Sequence, residues 1–526
     1  MGASTKPSRT VKATCVVCQT ANRKCEKYRS YEGFCTRKVS GPTSTGNSAN
    51  RILQCQACFE SFHYRCARVN ELELAHISAW YCPLCLVGDE ECEGFEIKIV
   101  PLPAEHADPS FVGGKAWIAA LMESAKALPT LPEEYGVRCA DGFALEEAMA
   151  EDSHFTKAYH CASLEGTGLT YPGKGYGPIE VVKDFDDGET TATTDVYGET
   201  SGDMTMTRVA ELYYQAEEER TWLYNTLSLE FSGSSAMKRN FQLPNIVRQL
   251  SWTTKLSNAA AIRRDKDDIP KMPMYDVPKA EHYCLISMGG SWTDFHRDFG
   301  GSSVYYSVQT GEKLFLLVPP TPENLEIYDE ALTLKIASRA EPVPKRISIY
   351  EFLLERGVVM YKLTIREGEM AMIPAGWIHG VLTPRDSFVF GGNFLHDHAI
   401  RAQLDIHARE HAIGIPDGLR YPNFEMANWQ IALERRNEMR DRTSYGRQSS
   451  ERDVADVRAL LSALTEWQEM DKGTRPVDPT RVRDKVTKAV LTKREKLLAS
   501  MTEELAKHDK LWPETPETAP DGNGSC

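Results

Sequence analysis

The spacing of apolar residues divides the chain into segments of different period. From residue 281 short apolar runs recur between Gly, Pro, Asp and Thr: "EHYCLISM", "SVYYSV", "KLFLLV", "EMAMIP", "GWIHGVL" and "SFVFGG". Runs of this length, rich in Val, Tyr, Phe and Ile and bounded by turn residues, predict β-strands. "QTGE" between the second and third reads as a hairpin turn, and the regular spacing predicts a β-sandwich or jelly roll. Past residue 430 the period changes. Val454, Val457, Leu460, Leu461 and Leu464 form a helical stripe, and "RVRDKVTKAVLTKREKLLASMTEEL" repeats the habit, so helices packed on the β-rich part are expected to 511. The polar tail 512–526 is expected to be disordered.

The part before 190 is less periodic. Pro-rich "VPLPAEHADPS" precedes an apolar segment, "KAWIAALMESAKAL", and then Gly-rich "YPGKGYGPIEVVKDF". The glycines lack the G-K-[ST] of a phosphate loop and read as a turn before a short strand. A chain of 526 residues exceeds one hydrophobic core, so two or three folded units are expected. There is no apolar run of 18 residues and no apolar stretch in "MGASTKPSRT", which argues against a membrane span or a signal peptide.

Charge and cysteine are uneven. Residues 1–51 hold ten Lys/Arg against two Asp/Glu, a local +8 in a chain of net −14. A solvated arm is the simpler reading; contact with DNA or a nucleosome surface is the other. Ten of fourteen cysteines precede residue 93, and in a reducing, intracellular setting such a cluster binds metal. Cys15-x2-Cys18, Cys55-x2-Cys58, His63-x2-Cys66 and Cys82-x2-Cys85 are four ligand pairs, enough for two tetrahedral Zn(II) sites.

"TDFHRDF" contains His296 and Asp298. The same H-x-D triplet occurs at His106 and Asp108, in a proline-punctuated stretch where no pleat would align the two, and is taken as chance. If "TDFHRDF" is extended, period two puts Asp294, His296 and Asp298 on one face and Thr293 on the other. His379, on a later strand after a Pro-Ala-Gly turn, would complete two histidines and a carboxylate. That is the facial triad of non-haem Fe(II) oxygenases. The rival cluster His396-Asp397-His398 follows the last strand and lacks a facing partner.

With Trp80 two residues before Cys82, the first module resembles a PHD finger. In that family the ligands interleave, which implies Cys15, Cys18, His63 and Cys66 on one zinc and Cys55, Cys58, Cys82 and Cys85 on the other. Cys25 and Cys35 lie in the long gap after Cys18. Ser61 stands where many methyl-lysine readers of that family have Trp, so a docking module without a methyl-lysine pocket is the alternative.

"YCLISMGGSWTDFHRDFGGSSVYYSVQTGEKLFLLVPPT" and "IPAGWIHGVLTPRDSFVFGGNFLH" resemble the JmjC domain, specifically the JmjC domain-containing histone demethylation protein 1 group. "MTMTRVAELYYQAEEERTWLYNTLSLEFS" is similar to that group's helical lead-in and "IPDGLRYPNFEMANW" to its exit. The resemblance implies a double-stranded β-helix core with flanking helices. It divides the chain into a finger at 12–88, a linker and partly ordered lead-in at 89–194, the JmjC domain at 195–430 and helices at 431–511. It implies His296, Asp298 and His379 as iron ligands, Thr293 and Lys313 on 2-oxoglutarate, and Asn225 and Tyr306 nearby. Arg297 stands where the group has an apolar residue, and it should point away from the metal. The implied activity is nuclear oxidative demethylation of histone H3 at mono- or dimethylated lysine 36, releasing formaldehyde and succinate. A catalytically silent chromatin protein and a JmjC protein hydroxylase are the alternatives.

Overall fold

The structure is a computed structural model and describes residues 52–54, 56, 61–63, 69–70, 72–81, 96–152, 154–173, 175–185, 190–261, 278–339, 341, 345–475 and 488–513. They form two compact units. One draws on described residues up to Ala120, on Tyr176–Leu229 and on Ile286–Ser291. The other draws on Leu121–Gly175, Glu230–Leu285 and the described residues from Trp292 onward.

The first unit holds short antiparallel pairs: Ile52–Gln54 with Ser61–His63, and Ile77–Tyr81 with Glu96–Ile99. In a third group Thr190–Asp195 pairs with Thr200–Thr205 and with Tyr224–Glu230. Its interior uses polar ties. His76 Nε2 lies 2.7 Å from Asp195 Oδ2, its ring stacks on Trp222 at 3.6 Å, and Arg208 Nε donates to the buried Glu73 at 2.9 Å. The Gly-rich stretch leads into a helix, Pro178–Asp184, rather than a strand. Pro178 fits the first helical turn, where no N–H is needed, and Glu180 accepts from Gly177 N at 3.0 Å.

In the second unit we name the strands β1 (Gly136–Cys139), β2 (Ala158–Cys161), β3 (Tyr283–Ser287), β4 (Ser291–Arg297), β5 (Ser303–Val318), β6 (Tyr361–Arg366), β7 (Met370–Ile373) and β8 (Ile378–Phe394). Their order is β1-β2-β7-β5-β8-β3, with β6 also on β5 and β4 also on β8. β5 and β8 run antiparallel from Ser303 opposite Phe394 to Val318 opposite Ile378. On its other edge β5 changes partner, pairing Val304–Ser307 with β7 and Glu312–Leu317 with β6. A strand that serves two partners in succession folds the sheet over on itself, which closes a jelly roll.

This corrects the expected hairpin. "QTGE" lies inside one continuous strand, and so does "TPRD" in β8. Each flank pairs with a distant strand rather than with the other, so the turn residues supply bulges, seen as register shifts between Val308 and Leu314. Gly311 makes the bend possible: its φ is 87°, and a Cβ there would stand 2.0 Å from the Asp386 carbonyl oxygen. β1 and β2 extend the sheet from β7, with Cys161 opposite Met370, so part of the stretch expected to be linker belongs to the core.

The flanking helices are α1 (Pro322–Arg339), α2 (Ile349–Glu355), α3 (Ile400–Ile413), α4 (Phe424–Ser444), α5 (Glu451–Lys472) and α6 (Lys488–Leu511). The stripe on α5 buries Val454, Val457, Leu460 and Leu464 in one cluster with Ile431, Ala432, Leu497 and Met501. Each large aliphatic side chain so buried contributes about 1.5–3 kcal/mol. α5 opens with a Ser450–Asp453 capping box and stops at Gly473 in the left-handed conformation. No described helix is long and apolar enough to cross a membrane.

Candidate active site

β4 carries His296, Asp298 follows it, and His379 is the second residue of β8, which pairs with β4. One donor atom from each of the three lies within 4.8 Å of the others. The two imidazoles are 4.3 Å apart between ring centres, and His379 Nε2 is 3.9 Å from Asp298 Oδ2.

Both rings are oriented by their own strand. His296 Nδ1 lies 3.0 Å from the Asp294 carbonyl oxygen, and His379 Nδ1 lies 3.3 Å from that of Trp377. A carbonyl only accepts, so each Nδ1 donates to it and each Nε2 is the ring nitrogen left to face the other donors. Asp298 is steadied from the other side: Asn393 Nδ2 donates to its Oδ1 at 2.8 Å and to Ser302 Oγ at 3.1 Å. Burial pushes the Asp298 carboxyl up, against the opposing pull of His296 and Asn393; burial and the neighbouring His296 hold His379 far below the ordinary histidine value. A neutral imidazole is the form that ligates. Among the described residues, then, this is a set of nitrogen and oxygen donors that fits a divalent iron with positions left open.

A second feature lies along the same strands. Lys313 is 1% exposed, and its Nζ donates to Thr383 Oγ1 at 2.8 Å. Burial alone drives its ammonium down to about 7, with no carboxylate offsetting it. Thr383 and His379 are four residues apart on β8 and so share a face, as do Lys313, Phe315 and Leu317 on β5, with Leu317 opposite His379. Phe315 lies between, its ring 5.8 Å from His379 and 5.1 Å from Tyr306, both measured between ring centres. A buried cation beside a hydroxyl and an aromatic floor leads to the three donors.

The remaining candidates sit as follows. Thr293 is half-buried on β4. Asn225 is buried on Tyr224–Glu230 of the other unit. Asp294 does not join the donors, contrary to the strand alternation. Its carboxylate takes Lys335 Nζ at 2.6 Å and the first two N–H groups of α2, Ile349 at 3.1 Å and Tyr350 at 3.3 Å. Those orphan helix-end donors need an acceptor, and a carboxylate suits the helix dipole. Arg297 points to α1, its guanidinium 2.7 Å from Asp329 and 4.6 Å from the centre of the Tyr328 ring.

The other H-x-D is structural. His106 is buried, with Phe111 at 4.9 Å and Tyr197 at 5.6 Å between ring centres, while Asp108 accepts from Ser110 at the surface. The rival cluster is committed too: His396 Nε2 bonds Ser303 Oγ at 2.8 Å, and Asp397 accepts from Trp252 Nε1 at 2.8 Å and from Lys255. Cys15, Cys18, Cys55, Cys58, Cys66, Cys82 and Cys85, the side chain of His63, and Cys25 and Cys35 lie outside the described residues.

Comparison with known proteins gives this arrangement a class. Residues 283–394 match the family described as JmjC domain, hydroxylase; residues 399–509 match the Jumonji helical domain, and residues 34–85 the PHD-finger. The last match takes in Cys35 and begins after Cys15 and Cys18. The matched segments thus run, in chain order, PHD-finger, JmjC domain and Jumonji helical domain. It is 34% identical over 293 residues to lysine-specific demethylase 2A of Xenopus tropicalis, covering 56% of this chain and 24% of that protein. It is 28% identical over 424 residues to lysine-specific demethylase 7A of Danio rerio, covering 79% and 45%. To histone lysine demethylase PHF8 of Danio rerio it is 27% identical over 422 residues, covering 79% and 38%. The chain therefore spans less than half the length of each of these relatives.

Proposed function

We propose that the chain is an Fe(II)- and 2-oxoglutarate-dependent lysine demethylase acting in the nucleus on the histone H3 tail, at mono- or dimethylated lysine 36. The observation that carries this reading is the pairing of two imidazoles and one carboxylate with a buried lysine that no carboxylate offsets, on the same β core. His296, Asp298 and His379 would hold iron. When bound, iron and 2-oxoglutarate supply the O2-dependent oxidation that removes an N-methyl group as formaldehyde and leaves succinate and CO2.

The chain's own part is positioning. The carbonyls of Asp294 and Trp377 hold both Nε2 atoms forward, and Asn393 holds Asp298. Lys313 and Thr383 would receive the distal carboxylate of 2-oxoglutarate, replacing the water that a free carboxylate has in solution. Tyr306 and Phe315 would wall that pocket, with Thr293 as a further contact on the resemblance. The finger would hold zinc through the cysteines and histidine named above, with Cys35 a further candidate, and would dock on chromatin together with the basic segment before it.

The test is mass spectrometry of a panel of methylated H3 peptides incubated with the chain, Fe(II) and 2-oxoglutarate. Loss of methyl groups at lysine 36 supports the reading. Loss at another lysine corrects the site, a retained oxygen atom marks a hydroxylase, and no change with intact 2-oxoglutarate marks a silent relative.

A further inference from the structure

A second cluster of metal-binding side chains lies on the helices that follow the β core. His407 and His411 are four residues apart on α3 and therefore project from one face. α3 stops at Gly414, in the left-handed conformation, and the chain turns through Asp417–Leu419 into α4, whose first turn carries Glu425. One donor atom from each of the three lies within 4.8 Å of the others. Tetrahedral zinc with bonds of about 2.0–2.1 Å holds its donors roughly 3.4 Å apart, a gap that small side-chain rotations can close.

The cluster is unevenly exposed. His407 is 5% exposed, stacked on Phe424 at 4.1 Å and edge-on to Trp467 at 5.5 Å between ring centres, so its ring is fixed by packing on two further helices. His411, edge-on to it at 4.5 Å, and Glu425 are half-buried, which leaves an approach from solvent. Arg420 Nη1 stands 2.9 Å and 3.0 Å from the two ring nitrogens of His411. A guanidinium can only donate, and a neutral imidazole accepts at one ring nitrogen, so Arg420 can bond only one of the two and competes for the nitrogen a metal would take. Glu410 is not a competitor, since it accepts from Gly300 N at 2.8 Å.

We propose that His407, His411 and Glu425 form a second metal site, for a divalent transition ion of zinc type, that clamps α3 to the start of α4 with the fourth position left to water. Two imidazoles and one carboxylate from two elements suit zinc. Arg420 is the competing cation, displaced when the ion binds.

The test uses the full chain carrying His296→Ala, so that the first donor set is disabled. Zinc-to-protein ratio by plasma mass spectrometry, and the visible spectrum on adding Co(II), are compared with and without His411→Ala. Glu425→Gln, which preserves shape, is measured in parallel. The proposal expects one zinc fewer in each variant, loss of the tetrahedral cobalt bands and an affinity lower by at least about 100-fold, since loss of even an outer-shell partner costs roughly 10- to 100-fold. It expects Arg420→Gln to bind zinc more tightly. Equal zinc content and an unchanged cobalt spectrum in both ligand variants, or weaker zinc binding in Arg420→Gln, would overturn it.

Discussion

The Lys313 ammonium donates to the Thr383 hydroxyl at 2.8 Å inside the β core, and among the described residues no carboxylate compensates it. Such a cation destabilises the ligand-free fold and favours an anionic ligand. Lys313→Ala should therefore weaken 2-oxoglutarate binding by about 3–5 kcal/mol, which is roughly 100- to 1,000-fold or more, while iron binding stays within a few-fold. Calorimetric titration of 2-oxoglutarate checks this, and affinity close to wild type would require another partner for the distal carboxylate.

The same residue sets a pH dependence. Its ammonium is pushed down to about 7 from an ordinary 10.5, so the unfolded chain binds the extra proton through the window between them. Stability of the ligand-free protein should rise with pH from about 7 to 10.5 on account of this group. Lys313→Met should flatten that rise. Denaturant unfolding at a series of pH values, wild type against variant, measures the difference.

Asn393→Ala removes the donor that steadies Asp298 Oδ1. Supports of this kind cost roughly 10- to 100-fold in metal affinity when lost. A Co(II) titration should show that weakening with the fold intact by circular dichroism. Unchanged affinity would mean that the backbone at the end of β4 alone positions the carboxylate.

The two H-x-D triplets separate activity from stability. His296→Ala should abolish 2-oxoglutarate turnover with little change in melting temperature. His106 is packed against Phe111, Tyr197 and Trp222, so His106→Ala should lower the melting temperature, at about 1–3 kcal/mol, while folded protein turns over normally. Comparable activity losses per folded molecule would contradict the assignment.

The β-rich core and the α5 stripe were legible because period-two and helical patterns survive in single segments. The three donors were legible as types in order: an H-x-D on one run and a histidine on a later one. Continuity was not. Gly311 and Pro384 are turn residues locally, and only the long-range partners of β5 and β8 turn them into bends within a strand. Alternation misplaced Asp294 because α2, 55 residues away at Ile349, needed an acceptor for its first N–H groups. The burial of Lys313 was hidden as well, since a lysine after "TGE" looks like a solvated loop residue until both neighbouring strands are in place. His407 and His411 show the spacing of a ligand pair, but Glu425 joins them only through the turn between α3 and α4.

The most direct measurement is paired product analysis. The full chain and its His379→Ala variant are incubated with a dimethyl-lysine-36 H3 peptide, Fe(II), 2-oxoglutarate and O2, and formaldehyde and succinate are quantified together. The account predicts equimolar formaldehyde and succinate that track methyl loss in the wild type, and neither product above background in the variant. Formaldehyde from the variant at the wild-type rate, or succinate from the wild type with every peptide methyl group retained, would contradict it.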